Sequence, residues 1–138
     1  MDSPRNAPLP TVHDVDRLCA YLPRLDEAGF EPVLRWHGRN PDGSLTLPYP
    51  DYHPLVEEFF MEAARPCWLD RRYRPAVAGR MLDDHDQVAH ASLAEVRTML
   101  TFCMRGEHFA EGHWEEMIVE GHVRRLLLRL RELRAGMS

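Results

Sequence analysis

Three histidines, His108, His113 and His122, fall within fifteen residues, with Glu107, Glu111, Glu115, Glu116 and Glu120 among them. Imidazoles and carboxylates that converge on one point can hold a divalent metal or share acid–base work. The spacing argues against convergence. His113 and His122 are nine residues apart, about half a turn out of phase on a continuous helix, and the segment has no His-x-x-x-His or His-Glu-x-x-His pair. His113 shares a helical face with Phe109 and Met117, as a hydrogen-bonded core histidine would. A second cluster, Asp83-Asp84-His85-Asp86 with His90, has the residue types of a cation loop, but it equally fits a solvated connection rich in helix-capping side chains. No cofactor is predicted from either cluster. A divalent metal on His108, His113 and His122 is the weaker expectation.

Other chemistries are excluded by residue type. All 17 basic residues are Arg, and the chain has no Lys. There is thus no P-loop Lys, no Schiff-base Lys and no kinase-type phosphate-pairing Lys. No Gly-x-Ser-x-Gly elbow or Gly-x-Gly-x-x-Gly loop occurs. The three cysteines, Cys19, Cys67 and Cys103, lie far apart and are odd in number. They fit free thiols in a reducing cytosol better than a disulfide framework. No apolar run approaches the length of a membrane span.

The C-terminal charge pattern points to contacts rather than catalysis. Residues 107–121 carry five Glu and no Arg, whereas residues 122–134 carry five Arg and one Glu. That order suits a helix dipole. On a helical projection Val123, Leu126, Leu127, Leu130 and Leu133 share one side, while Leu128 falls among Arg124, Arg125 and Arg129. An apolar side chain framed by arginines resembles an interface anchor, so these four residues are the candidate contact face for self-association or an acidic protein partner. Nucleic acid is the competing use of the same arginines. The net charge of −5 and the lack of a nucleic-acid-binding motif argue against it.

The elements that must position these residues read as one domain over residues 11–135, behind a proline-rich leader at residues 1–10. Thr11 with Asp14 marks a helix start, and Pro23 breaks the apolar period near Leu22. Residues 32–37 and 45–47 flank Asn40-Pro41-Asp42-Gly43, the signature of a small two-stranded hairpin. Pro54 opens a helix with Leu55, Val56, Phe59, Phe60 and Ala63 on one face. Ser92-Leu93-Ala94-Glu95 is a capping box, and Gly106 fits a left-handed helix end. A further helix carries Phe109, His113, Trp114, Met117 and Ile118 toward the core, and a last helix, or its continuation, runs on from Gly121. The fold class is α+β, mostly α, with about five helices and one hairpin.

Two stretches carry a resemblance. One is Leu47-Pro48-Tyr49-Pro50-Asp51-Tyr52. The other is Arg105-Gly106-Glu107-His108-Phe109, then Gly112-His113, Gly121-His122, Leu126-Leu127 and Arg129-Leu130. Together they resemble a small bacterial domain-of-unknown-function family with the same order of parts, in which a Gly-His…Gly-His helical end closes the domain. The resemblance implies fold and order of parts and brings no activity. The repeated Gly-His pairs predict that a neighbouring segment approaches closely there. Trp36, Tyr49, Tyr52, His113 and His122 are the expected group, as a ligand pocket if open and as scaffold if buried and hydrogen-bonded. The functional expectation is a non-catalytic protein-interaction or regulatory module of a bacterial cytosol. The alternative is a small metal- or ligand-binding enzyme built on residues 107–122.

Overall fold

The computed structural model describes residues 5–39 and 42–137. Helix α1 (Val12–Cys19) starts at the Thr11–Asp14 capping box, whose two reciprocal hydrogen bonds both form. Pro23 sits in the first turn of the short α2 (Leu22–Leu25), so the break near Leu22 is real. Strands β1 (Val33–Arg39) and β2 (Leu45–Tyr52) pair antiparallel, with Val33 opposite Tyr52, Trp36 opposite Pro50 and His37 opposite Tyr49. A shift in register between Val33 and Arg35 changes which side chains face inward. Asn40 and Pro41 of the expected turn lie outside the described residues. On its far side the Ser44 amide and hydroxyl both donate to the Asp42 carboxylate.

Helix α3 (Pro54–Ala63) buries Leu55, Val56, Phe59, Phe60 and Ala63, the stripe its period dictates. A short 3₁₀ turn (Pro66–Trp68) follows. Then come α4 (Pro75–Asp83), α5 (His85–Ala89) and α6 (Leu93–Arg105), the last opening on the Ser92–Glu95 capping box. The acidic cluster resolves as a cap: the Asp84 side chain accepts from the Gln87 amide and divides α4 from α5. A second 3₁₀ turn (Gly106–His108) leads to α7 (His113–Val119) and α8 (His122–Ala135).

The class is as the sequence implies, mostly helical with one hairpin. The helical segments outnumber the expected five because Pro23, Asp84 and Gly121 each divide a run. Helix α8 lies at the centre: it packs on α1, α2, α5, α6 and α7, and buries Val123, Leu126, Leu127 and Leu130. Two local expectations are corrected. Gly106 is right-handed at φ −60°, because the chain tightens into the 3₁₀ turn instead of reversing. Phe109 is 83% exposed, because residues 109–112 are not helical and the inward period starts only at His113. Ahead of α1, the Asn6 side chain donates to Asp70, and the buried Arg97 guanidinium donates to the Ala7 carbonyl. No helix among the described residues is long and apolar enough to cross a membrane.

Candidate functional site

Glu107 organises the region where the hairpin meets the C-terminal helices. Its carboxylate accepts from the Tyr52 hydroxyl at 2.7 Å, the Trp114 amide at 2.8 Å and the Gly112 amide at 2.9 Å. The two amides belong to the part-buried N-terminal end of α7, where the helix dipole favours an anion. A residue six positions upstream of His113 thus caps a helix whose own N-cap, Gly112, has no side chain. Burial first, then the bond to Glu107, push the Tyr52 hydroxyl far above its usual pKa, so Tyr52 remains a donor. Trp114 stacks on Phe60 with ring centres 4.6 Å apart, and its indole N–H donates to the Met104 carbonyl.

Close approach explains the glycines beside this carboxylate. A Cβ on Gly112 would lie 2.6 Å from the tip of the Trp36 indole, and Gly112 is left-handed at φ +91°. A Cβ on Gly106 would collide with the His113 ring. His113 is buried, and its Nε2–H donates to the Phe102 carbonyl, which fixes the tautomer.

Of the expected group, Tyr52 and Trp36 therefore converge on the start of α7, and His113 packs just behind it. Tyr49 stands apart on the outer face of the hairpin, stacked on His37 at 4.7 Å. His122 keeps separate partners. Its Nδ1 accepts from Arg125 at 2.9 Å, and its Nε2 faces Glu120 at 3.4 Å. Burial, then the Arg125 guanidinium, lower its pKa against the opposing pull of Glu120 and Asp83. His108 is exposed and touches Phe109. Among the described residues no three His, Cys, Asp or Glu side chains are grouped to hold a metal ion. Cys19, Cys67 and Cys103 are unpaired.

On the α8 face Leu128 is half-buried and lines a groove with Val88 and Ala89 of α5. The arginines around it have partners within the chain. Arg124 pairs with Asp26 at 3.1 Å, Arg125 with His122 and the Glu120 carbonyl, and Arg129 with Glu132 and the Ala91 carbonyl.

Sequence reasoning passed over Glu107 as a structural carboxylate and the run of cations around Tyr73. The first had no local signal, since Tyr52 is 55 residues away. The second had one: residues 71–82 hold Arg71, Arg72, Arg74 and Arg80 with no Asp or Glu, and Tyr73 lies among them.

No curated protein and no solved structure matches the chain. A family model does match it, over residues 10–136, described as a family of unknown function (DUF6508). That span takes in the hairpin, the Glu107 junction and both Gly-His helix starts, so the chain belongs to this family of unknown function.

Proposed function

We propose that this domain is a non-catalytic protein-interaction module of the bacterial cytosol, and that it self-associates through the outer face of its hairpin. One observation carries the reading. The sheet has two strands among the described residues, and it turns Leu47 (88% exposed), Leu34 (60%) and Tyr49 (47%) to solvent. Apolar side chains gathered on one element mark a contact surface more often than a solvated one. Arg35 and Asp51 lie opposite each other across the two strands, 3.3 Å apart. A two-fold contact needs a self-complementary patch, and an Arg–Asp pair beside apolar residues is one. Pro48 and Pro50 remove two backbone donors from β2, which favours contact through the face over strand addition at that edge. The enzyme alternative has less support: Glu107, His113 and His122 all have hydrogen-bond partners within the chain. Unpaired cysteines support the reducing compartment.

Sedimentation velocity over a concentration series tests the reading. The wild type is expected to pass from monomer to dimer, and Leu47→Glu to remain monomeric. Arg35→Asp and Asp51→Arg are each expected to weaken the dimer, and the double variant to restore it. A wild type monomeric at every concentration overturns the reading. A dimer broken by Leu128→Glu and untouched by Leu47→Glu moves the contact to α8.

A further inference from the structure

The 3₁₀ turn after α6 and the loop before α4 enclose a groove of about 410 Å³, bordered by Leu69, Tyr73, Met104, Arg105, His108 and Phe109. Its floor is apolar and its rim is cationic. The Arg105 guanidinium lies 5.9 Å over the Tyr73 ring, a placement that holds the charge at the groove mouth. Arg74 follows Tyr73 in the chain and is exposed. Phe109 stands out from the rim into solvent.

Some arginines of this chain are neutralised by a carboxylate and others are not. Elsewhere Arg17, Arg35, Arg65, Arg124, Arg129 and Arg134 each lie within 4.0 Å of a carboxylate. Among the described residues no carboxylate lies that close to Arg74 or Arg105. The two acidic residues nearest in sequence are turned elsewhere. Glu107 faces Tyr52 and the start of α7, and Asp70 accepts from Thr98 and Asn6. In a chain of net charge −5, the Arg105 guanidinium on this apolar groove, with the exposed Arg74 next to Tyr73 in the chain, supplies a local positive charge.

We propose that this groove binds an acidic peptide segment of a partner protein. An aliphatic or aromatic side chain of that segment enters between Tyr73, Met104 and Phe109, and flanking carboxylates pair with Arg74 and Arg105. Arg suits the second task because its planar fork meets a carboxylate through two parallel hydrogen bonds. Met104 suits the first because a thioether adapts to the shape of the side chain it meets. A peptide fits better than a nucleic acid: phosphates have no use for the apolar floor, and the overall negative charge repels a long polyanion. The surface uses none of the hairpin residues, so it stands or falls separately from self-association.

Fluorescence anisotropy tests it. The probe is a short fluorescein-labelled peptide rich in Asp and Glu with a central Leu-Phe pair. Its controls are the Asn/Gln version, a version with Ser in place of Leu-Phe, and a labelled single-stranded oligonucleotide. The acidic peptide is expected to bind saturably and more weakly as salt rises. Arg105→Ser and Arg74→Ser should each weaken it by about tenfold, the loss of one charge-assisted contact. Phe109→Ser, at a position too exposed to affect folding, should weaken it by a similar factor. Arg124→Ser should leave it unchanged. Absence of saturable binding, equal affinity for the Asn/Gln peptide, preference for the oligonucleotide, or an equal loss in Arg124→Ser would each overturn the proposal.

Discussion

The two Gly-His pairs are the same two residues performing the same local task, yet they are held in different ways. Gly112 and Gly121 are both left-handed, at φ +91° and +83°, and each precedes a histidine that opens a helix. At the first pair the restraint comes from far along the chain. Trp36 of the hairpin lies on Gly112, Tyr52 reaches Glu107, and Gly106 leaves room for the His113 ring. At the second pair the restraint is local: the nearest atom to a Cβ on Gly121 is the tip of the Arg125 side chain, one turn on in the same helix. A motif read from sequence therefore marks a backbone conformation, while its energetic weight depends on what the tertiary fold brings against it.

The largest test of that contrast is Gly112→Ala. A left-handed alanine costs about 1–2 kcal/mol, and crowding a packed indole adds about 1–3 kcal/mol. Urea unfolding should show a total loss near 3–4 kcal/mol. Trp36→Ala should recover part of it in a double-mutant cycle, since removing the indole removes the crowding and leaves only the backbone strain. Additive losses would break the link between the hairpin and α7.

Glu107→Gln comes next. The amide keeps one acceptor oxygen but loses the negative charge at the start of α7 and cannot accept on both sides. A loss of about 2 kcal/mol is expected, the scale of a charge-assisted hydrogen bond together with a helix-end charge. A change within experimental error would show that water replaces the carboxylate there.

Gly121→Ala should cost less than Gly112→Ala, about 1–2 kcal/mol, because only the backbone term remains. Arg125 can swing aside, although it gives up its bond to the Glu120 carbonyl in doing so. Equal losses at the two glycines would erase the distinction between a junction held by the hairpin and one held by its own helix.

How much of this was legible follows the same division. Signals contained within four residues were readable: the Thr11–Asp14 and Ser92–Glu95 capping boxes, the Pro23 break and the Pro54 helix start all form. So were the apolar stripes of α3 and α8, because burial follows the 3.6-residue period. Contacts between distant segments were not. Gly106 looked like a left-handed cap, whereas its lack of a side chain serves the His113 ring, a requirement set by tertiary packing. Phe109 falls inward only on a helical period extended across residues that are not helical. The arginines of α8 were visible as a charge run, but their partners Asp26 and Asp16 come from the other end of the chain. Arg105 closes α6, and its place over the Tyr73 ring of a distant segment has no local signal.

The smallest effect separates the second pair through its proton. His122 accepts from Arg125 at Nδ1, so protonation would place an N–H against a guanidinium. Burial and that cation hold its pKa below the ordinary 6.5. The unfolded chain therefore takes up a proton as pH falls through 6.5, while the folded chain resists until lower pH. Stability should therefore fall as the pH drops through 6.5 and level off below the folded pKa. The carboxylates Asp14 and Asp70, whose pKa values lie below 3.8, lose their contribution at more acid pH and do not overlap this window. Unfolding at pH 7, 6 and 5 should thus show a slope that His122→Gln flattens. An identical slope in His122→Gln would assign the proton to another group and remove the last difference drawn between the two histidines.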